Sequence, residues 1–241
     1  DVLIMSKKIS LATYLAHAGI CSRRKADGLV RQGQVSLNDK IIYEPGTPVL
    51  PQDLVYYQGK LVRPEPKIYI LLNKPAGYLS AVSDEKHGRK TVLDLVQGAC
   101  SERLYPVGRL DYQTTGLIVI TNDGDFAQRL AHPSYEIIKI YQATLNHDFK
   151  TQDLNQIRKG VQLEDGFMRV DDIFYANKYS DRDITVVIHS GKKRVVRRLF
   201  EHVGYKVVAL DRVEYAGLTK QGLKVGQWRF LTNQEIANLK K

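Results

Sequence analysis

The sequence predicts an α+β fold, in which a small N-terminal domain precedes a larger domain built on a mainly antiparallel sheet. The predicted linker between the two domains is Arg63-Pro64-Glu65-Pro66, where two prolines resist continuation of a helix or strand. Helix and hairpin signals precede this linker, and strand-like and helix-like segments without strict alternation follow it. Strict alternation would indicate a doubly wound parallel sheet, so its absence favours antiparallel pairing. We place the two domains at residues 8–63 and 67–241.

The first domain opens with two capped helices. Ser10 can cap a helix from Leu11 to Ala18 that ends at Gly19, and Ser22 can cap a second helix that ends at Gly33. The hairpin that follows has Val35–Leu37 and Ile41–Tyr43 as strands around Asn38–Lys40. An extended segment is expected around 55–57. About 60 residues is close to the lower size limit for a domain that folds alone.

The second domain mixes both kinds of element. Its predicted strands are Ile68–Leu72, Gly116–Thr121, Ile137–Leu145, Ile184–His189 and Val207–Val213. Its predicted helices are Asp125–Ala131, Thr151–Lys159 and Lys192–Val203. Asn122-Asp123-Gly124-Asp125 resembles part of a calcium loop but lacks the remaining ligand spacing, so it predicts a turn and a helix cap.

Composition narrows the class of protein. The chain has 241 residues, is 43% hydrophobic, and carries a net charge of +10 from 36 Lys and Arg against 26 Asp and Glu. Such a charge favours a nucleic-acid or anionic-membrane partner, although a merely basic protein remains the alternative. No apolar run approaches the roughly 20 residues that span a bilayer, so no membrane partner is expected.

Targeting and metal signals are weak. Asp1–Ser6 does not begin a signal peptide, and Cys21 and Cys100 are too far apart in sequence to indicate a disulfide framework or a cysteine zinc site. The six histidines show no metal-binding spacing. We therefore expect a cytoplasmic protein without a metal.

A basic cluster opens the second helix. Arg23, Arg24 and Lys25 stand in its first turn and Arg31 follows near its end. Helix N-termini favour phosphates, so an RNA-backbone contact is one interpretation and a solvated basic face is the other. The run from Ile9 through Lys25 to Lys40 resembles an S4-type RNA-binding domain over roughly 9–62. That resemblance implies a compact module that docks on structured RNA and favours the first interpretation.

The central segment of the second domain is Val107-Gly108-Arg109-Leu110-Asp111-Tyr112-Gln113-Thr114-Thr115-Gly116, followed by a strongly apolar run. In an extended chain Arg109 and Asp111 point the same way. A carboxylate there could lie at the rim of a sheet. From spacing alone, a structural Arg–Asp pair in a turn is the favoured interpretation.

The wider sequence resembles the RNA pseudouridine synthases, and within them the RsuA/RluB-type branch that acts on ribosomal RNA. Besides the central segment, the resemblance rests on Leu72–Gly77, His132–Ser134, Lys139–Tyr141, Gly191–Phe200 and Gly226–Thr232. It implies that Asp111 is the catalytic aspartate, Tyr141 stacks on the target base, Arg197 is the basic partner of Asp111 and Leu210 is the apolar wall beside Tyr141. Arg109 would contact the RNA or hold the catalytic loop.

The implied reaction suits these residue types. Conversion of uridine to pseudouridine breaks the C1′–N1 bond and forms a C1′–C5 bond, so neither a cofactor nor a metal is expected. One ionised carboxylate is needed, as nucleophile or general base. A uridine in a helix must also be flipped out, and stacking on Tyr141 can offset part of that cost. Without the resemblance, a tyrosine in an apolar strand indicates core packing.

The predicted helix at Lys192–Val203 has an apolar face and a cationic one. Its cations are Lys193, Arg194, Arg197 and Arg198. These could line an RNA groove, with a solvated face as the alternative. We therefore assign Lys193, Arg194 and Arg198 to RNA binding, together with the basic cluster of the first domain.

Two hypotheses follow for function. The first is an isomerase that modifies ribosomal RNA, free or in an assembly intermediate. Gly88–Asp94 and Leu163–Gly166 favour the large-subunit (23S) RNA. The second is a noncatalytic RNA-binding factor, which would not need Asp111. A tRNA synthetase with an S4 module is excluded because its ATP-binding motifs are missing. We expect a monomer, and Tyr78-Leu79-Ser80 departs from the family pattern near the catalytic loop.

Overall fold

The computed structural model describes residues 8–241, so the segment Asp1–Ser6 discussed above lies outside the described residues. Contacts divide the chain into two compact units. The first runs to Ile68 and includes Ser101–Arg103, and the second comprises Tyr69–Cys100 and Leu104–Lys241. No helix within 8–241 has the length and apolarity to cross a membrane. The predicted domain boundaries at 63 and 67 stay predictions.

The first unit has two short helices beside two small sheets. Its elements are β1 (Ile9–Ser10), α1 (Leu11–His17), α2 (Arg23–Arg31), β2 (Val35–Leu37), β3 (Lys40–Ile41), β4 (Pro48–Val49), β5 (Val55–Tyr57) and β6 (Lys60–Val62). The order β3-β2-β5-β6 forms an antiparallel sheet, and β1 pairs with β4.

Local chemistry explains the helix ends in this unit. The Ser10 hydroxyl accepts a hydrogen bond from the Thr13 amide, and Ser22 does the same for Lys25, as the two predicted caps require. Asn38 and Asp39 adopt positive φ, which gives the tight turn between β2 and β3. The core is continuous from α1 and α2 to the inner face of the sheet and includes Leu11, Leu15, Ala26, Val30, Val35 and Val55.

The second unit is built on a nine-stranded sheet. Its strands are β7 (Tyr69–Lys74), β8 (Tyr105–Pro106), β9 (Thr115–Thr121), β10 (Lys139–Leu145), β11 (Val161–Leu163), β12 (Gly166–Met168), β13 (Asp172–Tyr175), β14 (Asp183–Ile188), β15 (Val207–Tyr215), β16 (Leu218–Thr219) and β17 (Trp228–Phe230). Its helices are α3 (Gly124–Ala131), α4 (Thr151–Lys159), α5 (Val195–His202) and α6 (Asn233–Leu239). The separate hairpin β11–β12 lies outside this sheet.

The order of the large sheet is β13-β14-β10-β15-β9-β7-β17, with β16 on β15 and β8 on β9. Every pair is antiparallel except β15 with β9. The predicted α+β class with a mainly antiparallel sheet is therefore confirmed.

Two hydrophobic cores form along this sheet. One gathers side chains of β10, β13, β14, β15, α4 and α5, including Leu145, Ile157, Ile184 and Phe200. The other gathers β7, β9, α3 and the end of β15, including Leu71, Leu117, Phe126 and Tyr215. Strand β15, which runs parallel to β9, contributes side chains to both cores.

One predicted helix is shorter than expected. The segment predicted as Lys192–Val203 becomes helical only at Val195, because Arg194 adopts a left-handed conformation (φ 52°) that a helix cannot continue through. Lys193 and Arg194 therefore lie in a turn, and the predicted cationic helix face keeps only Arg197 and Arg198. The other predicted helices and strands are present, with ends shifted by one or two residues.

Candidate active site

A cavity of about 240 Å³ opens in the second unit at the junction of its two cores. Its walls are the segment 108–114, the loop 189–194, and side chains of β10 and β15. Six of the predicted functional residues have places at this site, and they are Arg109, Asp111, Tyr141, Lys193, Arg194 and Leu210. Asp111 is the one carboxylate among its described lining residues, against six lysines and arginines.

Lys74 holds the backbone of the turn that carries Asp111. This lysine ends β7 with 0% of its surface exposed, and its ammonium donates to the carbonyls of Asp111 (3.2 Å), Tyr112 (3.3 Å), Thr114 (2.8 Å) and Pro75 (3.0 Å). Burial lowers the pKa of Lys74 to about 8, with Asp111 opposing the shift. The ammonium form therefore predominates at neutral pH and fixes the backbone beneath Asp111.

The segment that follows Lys74 completes this support. The Gly77 amide donates to the Tyr112 carbonyl (2.8 Å), and the Ser80 hydroxyl both accepts from the Leu110 amide and donates to its carbonyl. Tyr78-Leu79-Ser80, where the sequence departs from the family pattern, belongs to this segment. Ser80 nonetheless holds the residue before Asp111 at both backbone groups.

Two arginines face the Asp111 carboxylate. Arg194 Nη1 lies 3.5 Å and Arg197 Nε lies 4.0 Å from Asp111 Oδ2. Arg197 is the more enclosed, with 11% of its side chain exposed, and its Nη1 donates to the Val207 carbonyl. Its Nε is buried with no hydrogen-bond partner among residues 8–241. Burial and the Arg194 guanidinium lower the pKa of Arg197, whereas Asp111 opposes that shift.

Arg212, which is not among the predicted site residues, also lines the cavity. Arg212 is 3% exposed, donates from Nε to the Leu117 carbonyl, and holds its guanidinium 4.3 Å above the Tyr215 ring. Its Nη1 lies 3.4 Å from the Tyr141 hydroxyl. Tyr141 also packs against the core that contains Leu210. A cation within the apolar strand β15 was the sequence signal that could have pointed to Arg212.

Close backbone packing fixes β15 against the Asp111 turn. A Cβ on Gly116 would stand 2.3 Å from the Arg212 carbonyl oxygen, and Gly116 has φ +115°. Only glycine permits this approach without displacing the backbone. The glycine at 116 thus sets the distance between the turn and the strand that carries Leu210 and Arg212.

Other predicted RNA-binding residues have different surroundings. Arg198 donates twice to the Asp165 carboxylate (2.9 and 3.0 Å), and Lys192 donates to the Asp165 carbonyl. These contacts join the β11–β12 turn to α5 and its preceding loop. A phosphate would have to compete with Asp165 for Arg198, while Lys193 and Arg194 remain at the cavity.

The basic cluster of the first unit is open to solvent. Arg23, Arg24, Lys25 and Arg31 on α2 are exposed and form no ion pair with another described residue. Within 8–241 no group of three or more His, Cys, Asp or Glu side chains is arranged to hold a metal ion.

Comparison with known proteins defines the class. A family model described as RNA pseudouridylate synthase matches residues 68–202, and an S4 domain model matches 10–55. The chain is 41% identical to the ribosomal large subunit pseudouridine synthase B of Bacillus subtilis (strain 168), over 95% of each chain. It is 32% identical to the dual-specificity RNA pseudouridine synthase RluF of Escherichia coli (strain K12), over 99% of this chain and 81% of that one.

A solved structure supports the same conclusion. A crystal structure of a pseudouridylate synthase superposes with a TM-score of 0.67 at 26% identity and covers 96% of this chain and 99% of that one. The chain therefore belongs to the RNA pseudouridine synthases, which are isomerases, and carries an S4 domain at its N-terminal end. The resemblance inferred from the sequence is confirmed.

Proposed function

We propose that this protein converts a uridine of large-subunit ribosomal RNA to pseudouridine, with Asp111 as its catalytic carboxylate. The observation that carries the proposal is the position of Asp111. It is the one carboxylate among the described residues lining a cation-rich cavity, two arginines face it, and Lys74 fixes its backbone.

The proposed substrate rests on relatives. The Bacillus subtilis relative is named for the large ribosomal subunit, and the match extends over nearly all of both chains. The net charge of +10 suits a polyanionic substrate. The large-subunit RNA, free or within an assembly intermediate, is therefore the substrate we assign. The cytoplasm is where such RNA would be met.

The reaction requires two things of the protein, a carboxylate anion and a site that holds the uracil in place. The C1′–N1 bond breaks, the uracil turns, a C1′–C5 bond forms, the proton on C5 leaves and N1 gains a proton. Asp111 would either attack the nucleotide or remove a sugar proton. In both routes Arg197 and Arg194 place positive charge beside the carboxylate and help to hold it in position.

The size of the cavity implies base flipping. We infer that a single nucleoside, and not a stacked helix, enters this cavity of about 240 Å³. Extrusion of a paired or stacked base costs a few kcal/mol. Stacking on Tyr141 returns about 1–3 kcal/mol, and Leu210 supplies an apolar wall near that ring.

The S4 domain supplies affinity separately from chemistry. Its exposed cluster on α2 would bind phosphates of folded RNA through Arg23, Arg24, Lys25 and Arg31. Phosphate contacts position an RNA without reading its sequence. We therefore assign docking to the first unit and isomerisation to the second, with the protein acting as a monomer.

The proposal is tested by mapping pseudouridines in ribosomal RNA from cells with and without the protein. We expect loss of modification at a large-subunit uridine, restored by the wild-type gene and not by Asp111→Asn. An unchanged map would refute the proposed function. Loss confined to small-subunit RNA would refute the substrate while leaving the reaction intact.

A further inference from the structure

A histidine–aspartate pair stands at the edge of the cavity, outside the residues assigned above. His189 lines the cavity directly after β14, and its Nδ1 lies 2.9 and 3.0 Å from the two carboxylate oxygens of Asp171. Because Asp171 accepts the Nδ1 proton, the ring is held in one orientation. Nε2 is then the nitrogen that remains for a ligand.

The backbone of this histidine is held as firmly as its ring. The Lys139 ammonium donates to the His189 carbonyl (2.8 Å) and to the Ile137 carbonyl (2.9 Å). The Asp171 amide donates to the Val187 carbonyl (2.8 Å), which ties the carboxylate to the same strand. The pair itself stays accessible, with 41% of the His189 and 33% of the Asp171 side chain exposed. A fixed but accessible imidazole is suited to bind a ligand.

The position of the pair relative to Tyr141 suggests which part of a nucleotide it meets. Lys139 pairs with Ile188, the residue before His189, so His189 is level with Ile138, three residues from Tyr141 along β10. Three residues of strand correspond to roughly 10 Å. With a base stacked on Tyr141, a group at that distance would be the sugar–phosphate backbone of the same or the adjoining nucleotide.

The charge around the pair selects phosphate over an uncharged partner. The cations at this cavity are Arg109, Lys139, Lys192, Lys193, Arg194 and Arg212, and the lone carboxylate of the lining is Asp111. An excess of positive charge in a concave site attracts anions. A phosphate on the far side from Asp171 would place the His189 ring between two anions, which favours its doubly protonated form.

We propose that His189, oriented by Asp171, is a phosphate-binding residue of the active site and takes up a proton when RNA binds. The proposal rests on the proposed function for the identity of the RNA. It assigns to the cavity edge a role separate from the chemistry at Asp111. RNA affinity should then increase as pH falls through the range from about 8 to 5 in which histidines become charged.

Other titrating groups nearby must be separated from His189. Burial lowers the pKa of Lys139 to about 8, Arg212 adds to the shift and Asp171 opposes it. At pH 7.0 Lys139 is then about nine-tenths protonated and can take up only ~0.1 proton. His132 is a second cavity histidine; it is hydrogen-bonded to Ser134, and no carboxylate within 8–241 pairs with it. Burial also lowers the pKa of Lys74 beneath Asp111 to about 8, so this lysine can take up a further ~0.1 proton at pH 7.0.

The test is calorimetric binding of an in vitro transcript of large-subunit ribosomal RNA at pH 7.0 in two buffers of different ionisation enthalpy. The difference between them gives net proton uptake. We expect clear uptake by the full-length wild-type protein, a decrease to ~0.2 proton or less in His189→Gln, and a partial decrease in Asp171→Asn. The matched control His132→Gln should keep wild-type uptake.

Affinity against pH supplies the second measurement. The wild-type protein should lose up to tenfold affinity per pH unit as the proton is released, whereas His189→Gln should show a flatter profile. Equal weakening of His189→Gln at pH 6 and pH 8.5 would indicate an uncharged contact and overturn the proposal. So would uptake that persists in His189→Gln or disappears in His132→Gln. Tritium release from the same transcript reports isomerisation separately, so failure of the proposed function is distinguishable.

Discussion

Replacement of Lys74 by methionine tests whether the buried ammonium positions Asp111. Methionine has nearly the length of lysine but no donors, so the carbonyls of Asp111, Tyr112, Thr114 and Pro75 lose their shared partner. The substitution also removes the cost of burying a charge, which offsets part of the loss.

The expected loss of stability in Lys74→Met follows from these contacts. A buried acceptor left without a donor costs about 1–3 kcal/mol, and Lys74 is wholly buried. We expect the free energy of unfolding to fall by about 2–4 kcal/mol after the offset. A displacement of Asp111 by about 1 Å would lower the single-turnover rate by roughly 100-fold.

The assay combines urea unfolding with single-turnover isomerisation under conditions where the variant stays folded. Lys139→Met is the matched control, since its ammonium is also held by two backbone carbonyls but not by those of the Asp111 turn. The control should mainly weaken RNA binding. A folded Lys74→Met protein with the wild-type rate would refute the positioning role.

Three further predictions use the same geometry. The single-turnover rate should fall as pH rises through about 8, where Lys74 loses its charge. Because the unfolded chain keeps that proton up to about 10.5, the contribution of Lys74 to the free energy of unfolding should increase between these two pH values. A decrease in the free energy of unfolding over that interval would contradict the assignment. Arg197→Met should lower the single-turnover rate by roughly 10- to 100-fold, as expected for loss of about 1.5–3 kcal/mol. Arg194 is more exposed, so Arg194→Met should lower the rate by less than about fivefold. Equal losses would show that the two arginines contribute alike. A triple variant of α2 should bind RNA more weakly, and it combines Arg23→Gln, Arg24→Gln and Lys25→Gln. The slope of log affinity against log salt concentration should decrease by about 0.7–0.9 per lost phosphate contact, with Lys60→Gln in β6 as the control. An unchanged slope would remove α2 from the RNA interface.

Much of the fold was predictable because local signals and tertiary structure agree. Ser10 and Ser22 cap their helices, and the apolar run after Gly116 forms the buried strand β9. The start of α5 was predicted too early, because the left-handed conformation of Arg194 cannot be predicted from its residue type. By contrast, α6 was missed although Thr232 and Glu235 form the capping box that the sequence displays.

The resemblance predicted a set of site residues but not how they are arranged. The resemblance named Asp111, Tyr141, Arg197 and Leu210, yet the approach of Arg194 to Asp111 depends on a turn conformation. The support from Lys74 depends on pairing of β7 with β9, which joins residues far apart in sequence. Long-range pairing of this kind leaves no local periodicity, so contacts such as Arg212 with Tyr141 could be found only in the folded chain.

The central claim is that Asp111 performs the isomerisation, and the most direct measurement is tritium release from ribosomal RNA carrying 5-tritiated uridine. Formation of the C1′–C5 bond expels the label on C5. Asp111→Asn is nearly isosteric but cannot supply an anion, so it should release no tritium above background while binding the same RNA with near wild-type affinity. Substantial release by a correctly folded Asp111→Asn protein would contradict the account.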